Sequence, residues 1–105
     1  MSQATLCDAI SAKKLVKFRY KTDMSARTFA PYIVYRTANQ HLHVSGYQEH
    51  NPAKPLERHE WRDFELDQIK AASSTEETFV PDADFDPLNK RYAAGIICHV
   101  KPYFR

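Results

Sequence analysis

The hydrophobic period changes near residue 14. Before that point Leu6, Ala9 and Ile10 recur at helical spacing behind Thr5 and Asp8, which read as a capping box, and the pattern predicts a short amphipathic helix over residues 5–13. From Leu15 the period is two. Val16, Phe18 and Tyr20 fall on one side and Leu15, Lys17 and Arg19 on the other, as in a strand with one buried face. After the connection KTDMSA, the run RTFAPYIVYR predicts a second strand from Arg27 to Arg36. Pro31 donates no ladder hydrogen bond, so it places that strand at an edge or puts a bulge in its middle. Thr37 to Gln40 reads as a tight turn with Asn39 left-handed, and HLHVSGY at 41–47 as a third strand with Leu42 and Val44 inward.

Further along, NPAKP at 51–55 is a surface loop, Arg58 to Leu66 a fourth strand, and Ile69 to Ala72 a short fifth. Ser73 to Pro87 is polar, acidic and interrupted by Pro81 and Pro87, so it reads as a loop with one turn of helix. Residues 88–105, LNKRYAAGIICHVKPYFR, have an apolar centre that fits a last strand or a docked helix equally well. The expected fold class is mainly β (α+β): an N-terminal helix on a small, five-stranded, bent antiparallel sheet or barrel. One domain over residues 1–105 follows, with its core at about 5–87 and 88–105 as a C-terminal extension.

Composition narrows the picture. At 105 residues, 43% of them hydrophobic and 27% charged, the chain is an ordinary globular domain, with no run approaching the roughly 20 apolar residues that span a bilayer. No signal peptide is recognisable in MSQATLCDAI, and a cytoplasmic location without membrane contact is expected. In that compartment Cys7 and Cys98, near opposite ends, are expected as small buried thiols rather than as a disulfide. The two glycines, Gly46 and Gly95, form no phosphate-binding glycine loop.

Net charge is only +2, but it is unevenly spread. Residues 11–36 carry seven lysines and arginines against Asp23 alone, and residues 57–87 carry ten carboxylates against Arg58, Arg62 and Lys70. Either the blocks form separate faces, the basic one suited to an anionic partner, or they neutralise each other across adjacent strands.

Candidate chemistry is sparse. His41-x-His43, with His59 from a neighbouring strand, is a metal spacing that lacks a cysteine pair or a carboxylate at fixed offset, so no metal and no cofactor is expected. No nucleophile lies beside a base in sequence, and an enzyme is not expected. More informative are Arg27-x-Phe29 and Arg62-x-Phe64-x-Leu66. Each arginine shares a strand face with a core phenylalanine, so each guanidinium should emerge at the rim of the sheet, where the Tyr20 hydroxyl joins them. Two guanidinium forks and a phenol would suit phosphate or carboxylate. The competing reading is that Arg27 and Arg62 pair with Asp23, Asp63 or Glu65 as ordinary salt bridges.

In order along the chain, AISAKKLVKFRYKT, RTFAPYIVY, LHVSGY and WRDFELDQI followed by FVPDADFDP resemble the WYL domain, named for a Trp-Tyr-Leu tripeptide in its third strand and found mostly in bacterial transcription regulators. The resemblance covers about residues 6–87. Its most specific pieces are Arg27, Phe29, Pro31 and Tyr32, and then Arg62, Phe64, Leu66, Asp67 and Ile69. Leu42-His43-Val44 replaces the tripeptide, and Gln68 stands where a second arginine usually follows the aspartate, removing one positive group.

The resemblance implies an Sm-like/SH3-like barrel and a ligand-sensing module in transcriptional or defence regulation, with single-stranded nucleic acid or a nucleotide as favoured partner. Carried over by position, it makes Tyr20, Arg27, His43 and Arg62 the ligand-binding residues, the arginines gripping phosphate and Tyr20 and His43 contacting base or sugar. Such domains commonly follow a helix-turn-helix domain, so a stand-alone form or a fragment is expected, with a helix-turn-helix protein among the possible partners. The alternative is a protein-interaction or homo-oligomerisation module, because small barrels of this kind assemble edge to edge.

Overall fold

The structure is a computed structural model describing residues 2–50 and 60–101. Its elements are a helix α1 (Ser2–Ala12), strands β1 (Lys14–Tyr20), β2 (Arg27–Arg36), β3 (Leu42–His50), β4 (Glu60–Glu65) and β5 (Ile69–Thr78), and a last strand β6 (Ile96–His99). Single 3-10 turns at Leu66–Gln68 and Lys90–Tyr92 precede β5 and β6. The helix buries Leu6, Ala9 and Ile10, the stripe its spacing predicts. It begins by Ser2, so Thr5 lies within it and not at a cap. Lys13, at φ 57°, ends it in the left-handed region, its N–H bonded to the Ile10 carbonyl at 3.1 Å.

The strands form one antiparallel sheet in the order β4-β3-β2-β1-β5. β2 is therefore central, and the edge position that Pro31 allowed does not hold. The bulge does. Ladder register between β2 and β3 shifts between Pro31 and Ile33, which accommodates the missing N–H. The shift also divides the other side of β2: Arg27–Phe29 pair with β1, and Ile33–Tyr35 with β6. Opposite Pro31, Gly46 approaches so closely that a Cβ there would sit 2.0 Å from the Ala30 carbonyl oxygen, which restricts the position to glycine.

Further expectations need correction. The sheet has six strands, because residues 96–99 form β6, and it does not close: β4 and β5 end the order and are not paired with each other among the described residues. It is an open bent sheet and not a barrel, since the far half of β2 takes β6 as its partner instead of curling β4 round to β5. β5 continues to Thr78, through half of the expected acidic loop. Register shifts against β1 and a left-handed Ala71 at φ 56° break the two-residue period there, so the sequence pattern does not show the strand. In the turn before β3 it is Gln40, at φ 69°, that is left-handed, not Asn39. Finally, Cys7 and Cys98 are joined in a disulfide, 91 residues apart in sequence, because α1 packs beside β6 once β6 joins β2.

The core centres on Phe18, Phe29 and Phe64, whose rings meet edge to face with centroids 5.2–5.7 Å apart. All three are buried, with the α1 stripe against the same cluster. A second aromatic group forms around Tyr32, whose ring contacts Tyr47, Trp61, Phe79 and Phe85.

Candidate functional site

Strand alternation sorts the candidate residues onto two faces of the β3–β4 pair. The register sets Gly46 against Arg62 and Gln48 against Glu60, so Glu60, Arg62 and Phe64 share a face with Val44, Gly46 and Gln48. Arg27 joins that face from β2. Its Nη1 donates to Gln48 Oε1 at 2.9 Å, and its guanidinium carbon lies 5.2 Å from the Phe64 ring centroid and 5.8 Å from that of Tyr20. Tyr20 packs on Phe64 at 4.7 Å, and its hydroxyl accepts the Glu65 N–H at 3.1 Å. Tyr20, Arg27 and Arg62 thus lie on one side of the sheet, as the spacing predicts.

Their electrostatics follow the competing reading. Arg27 binds Asp23 with two parallel bonds, Nε to Oδ2 and Nη2 to Oδ1, both 2.8 Å. Asp23 also accepts the Tyr20 N–H at 2.9 Å, so the carboxylate fastens the β1–β2 turn as well as the guanidinium. The Arg27 hydrogen bond, working against partial burial, holds the Asp23 carboxyl below its ordinary value. Arg62 pairs with Glu60 at 2.6 Å, and this ion pair is half open to solvent, with 37% and 44% of the two side chains exposed. Glu60 is not among the partners the sequence offers for Arg62. Its place two residues along the same face is the signal for it. Gln48, buried to 1% and bonded to Arg27, was likewise invisible to a search for charged groups.

His43 is not on this face. It lies with Ser45, Asp63 and Tyr35 on the other, where one carboxylate gathers three partners: Tyr35 donates to Asp63 Oδ1 at 2.6 Å, Ser45 donates to the same oxygen at 2.5 Å, and His43 Nδ1 lies 2.5 Å from Oδ2. Burial, and then the bond to Asp63, pushes the Tyr35 phenol far above its ordinary range. Ser45 bonds the carboxylate and not the imidazole, so the group lacks the serine–histidine contact of a hydrolytic triad. Among the described residues no three of His, Cys, Asp and Glu are grouped to hold a metal, and His59 lies outside them.

Fold and site together define a small α+β module: a helix on an open bent sheet, with an arginine-bearing aromatic face. The chain belongs to the WYL domain family, whose model matches residues 3–74. Among solved structures it is similar to the proteasome accessory factor B/C (PafBC) of Arthrobacter aurescens, with a TM-score of 0.62 and 17% identity over 81% of this chain. It spans 13% of the length of that protein. No curated protein matches the chain. No helix among the described residues is long and apolar enough to cross a membrane.

Proposed function

We propose that the domain is a regulatory ligand-binding module that recognises single-stranded nucleic acid or a nucleotide-like anion through the face carrying Arg62, with Arg27 and Tyr20 behind it. Family membership supports the sensing role. The observation that carries the ligand class is the half-exposed Arg62–Glu60 pair beside the Tyr20–Phe64–Arg27 stack. An exposed ion pair contributes only about 0.2–1 kcal/mol, so an incoming phosphate exchanges with Glu60 at small cost. Arg27 is the more firmly held of the two, and in this reading it stiffens the face and lends positive potential instead of gripping phosphate itself. His43 points away and has no part in the interface. The reading includes no catalytic step.

Fluorescence polarisation with short single-stranded DNA, RNA and cyclic dinucleotides at two salt concentrations tests it. Arg62→Ala should weaken binding by about 1–3 kcal/mol and lower the salt slope by about one phosphate. A folded Arg62→Ala protein with unchanged affinity and slope would defeat it. A protein-interaction or oligomerisation module would then take its place, the observation in its favour being that β4 and β5 lie at the two ends of the sheet order.

A further inference from the structure

On the Asp63 side of β4 the protein has a cavity of about 340 Å³. Four rings line it: Tyr47 of β3, Trp61 of β4, and Phe85 and Tyr92 from the segment between β5 and β6. The rings brace one another, Tyr47 against Trp61 at 5.0 Å, Trp61 against Phe85 at 6.0 Å, and Phe85 against Tyr92 at 6.3 Å. Asp82, Asp84 and Asp86 also line it, and among the described lining residues Arg91 carries the opposing charge. The acidic segment is fixed in place. Asp82 donates its N–H to the Tyr32 hydroxyl at 2.7 Å, and its carboxylate accepts from the Tyr47 hydroxyl at 3.2 Å and from the Asp84 N–H at 2.9 Å.

Aromatic walls and a surplus of carboxylates select one kind of guest. A hard divalent cation needs six or more oxygen ligands converging on one point, and although three carboxylates line the cavity, among the described residues no three are grouped closely enough to hold a metal ion. Anions are repelled by the carboxylates, and a neutral apolar guest would leave those charges unused. A bulky, weakly hydrated cation uses both, because ring faces attract positive charge through their quadrupole and the carboxylates add a direct Coulombic pull. A cavity at the small end of the usual 300–1,000 Å³ ligand range suits a single small group.

We propose that this cavity binds an alkylated ammonium group, carried either by a free small cation or by the modified end of a lysine side chain. The site is independent of the nucleic-acid reading, since it lies on the other face of β4 and prefers the opposite charge.

Trp61 is the sole tryptophan in the chain, so its emission reports on the cavity directly. Titration of the intact protein with choline chloride should give a saturable change. The neutral isostere 3,3-dimethylbutan-1-ol, equal in shape but uncharged, should bind about tenfold more weakly. Asp84→Asn is a safe variant, because in the bonds that hold the segment Asp84 contributes its backbone N–H. It should weaken choline binding about fivefold, and Arg91→Ala should strengthen it by a similar factor. A trimethyllysine peptide separates the two sources: tighter binding than choline assigns the site to a modified protein, and weaker binding to a free cation. Equal binding of choline and its isostere would overturn the proposal, as would the absence of a saturable response to both choline and the peptide.

Discussion

Along β4, Glu60, Arg62 and Phe64 point to one side and Trp61, Asp63 and Glu65 to the other, and the two sides are organised differently. On the first, an apolar trio of phenylalanines grades outward into paired charges: Phe64 under Arg27, Arg27 on Asp23, Arg62 on Glu60. On the second, tyrosine and serine hydroxyls converge on one carboxylate, Asp63, beside an aromatic cavity. The first side is closed by packing and ion pairs, and the second by hydrogen bonds around open space. Adjacent residues of one short strand therefore answer to different chemistry, one to salt and acid, the other to alkali.

The comparison can be broken most severely at the packed side. Phe64→Ala should cost about 3–5 kcal/mol in denaturant unfolding, because its ring touches Phe18, Phe29 and Tyr20 at once. Reduction of the Cys7–Cys98 bridge, read by the same unfolding curves with and without dithiothreitol, should cost about 2–5 kcal/mol, given the length of chain it closes.

Next comes a contrast between the two arginines. Arg27→Ala should lose about 1.5–3 kcal/mol, since it strips a bidentate, mostly buried partner from Asp23, whereas Arg62→Ala should lose about 0.5 kcal/mol. Equal losses would mean that the two pairs are alike and that the proposed division between a stiffening and a ligand-facing arginine is wrong. Because Asp23 has a depressed pKa when folded, its contribution is present above the unfolded value near 4 and is lost as pH falls through the folded one.

The smallest effect concerns the other side, where burial raises the phenols of Tyr32, Tyr35, Tyr47 and Tyr92. A raised folded pKa contributes stability that is whole below the unfolded value of about 10 and is lost as pH climbs through the folded values. Ultraviolet titration should show these phenols ionising later than those of free tyrosine, together with a drop in thermal stability above about pH 10. Asp63→Asn should bring the Tyr35 transition down, because it removes a negative charge that opposes ionisation.

Much of this is legible in the sequence. Two-residue alternation in Val16-Phe18-Tyr20 and in Arg62-Phe64 reports burial directly, and it placed the core and the arginine face together. Where alternation fails, the sequence pattern is silent. β5 is an edge strand with register shifts, its side chains mostly in water, and carries no period to detect. The family pattern offers His43 by position, yet its neighbour Val44 is buried on the face that Phe64 occupies, and one step along a strand reverses the side. Chain ends are equally opaque. Cys7 and Cys98 are as far apart in sequence as two residues here can nearly be, and only the pairing of β6 with the far half of β2 brings them together.

That bridge also alters how the domain would carry a load. A pull applied at the two ends of the chain enters at Cys7 and leaves at Cys98, crossing from α1 to β6 through one covalent bond while the sheet between them bears no tension. Roughly 300 Å of extended contour, about 3.3–3.6 Å for each of the 91 intervening steps, stays hidden from the force until the bond is broken. A domain tethered between two larger bodies would in this way hold its binding faces in shape under strain that would otherwise peel the strands apart.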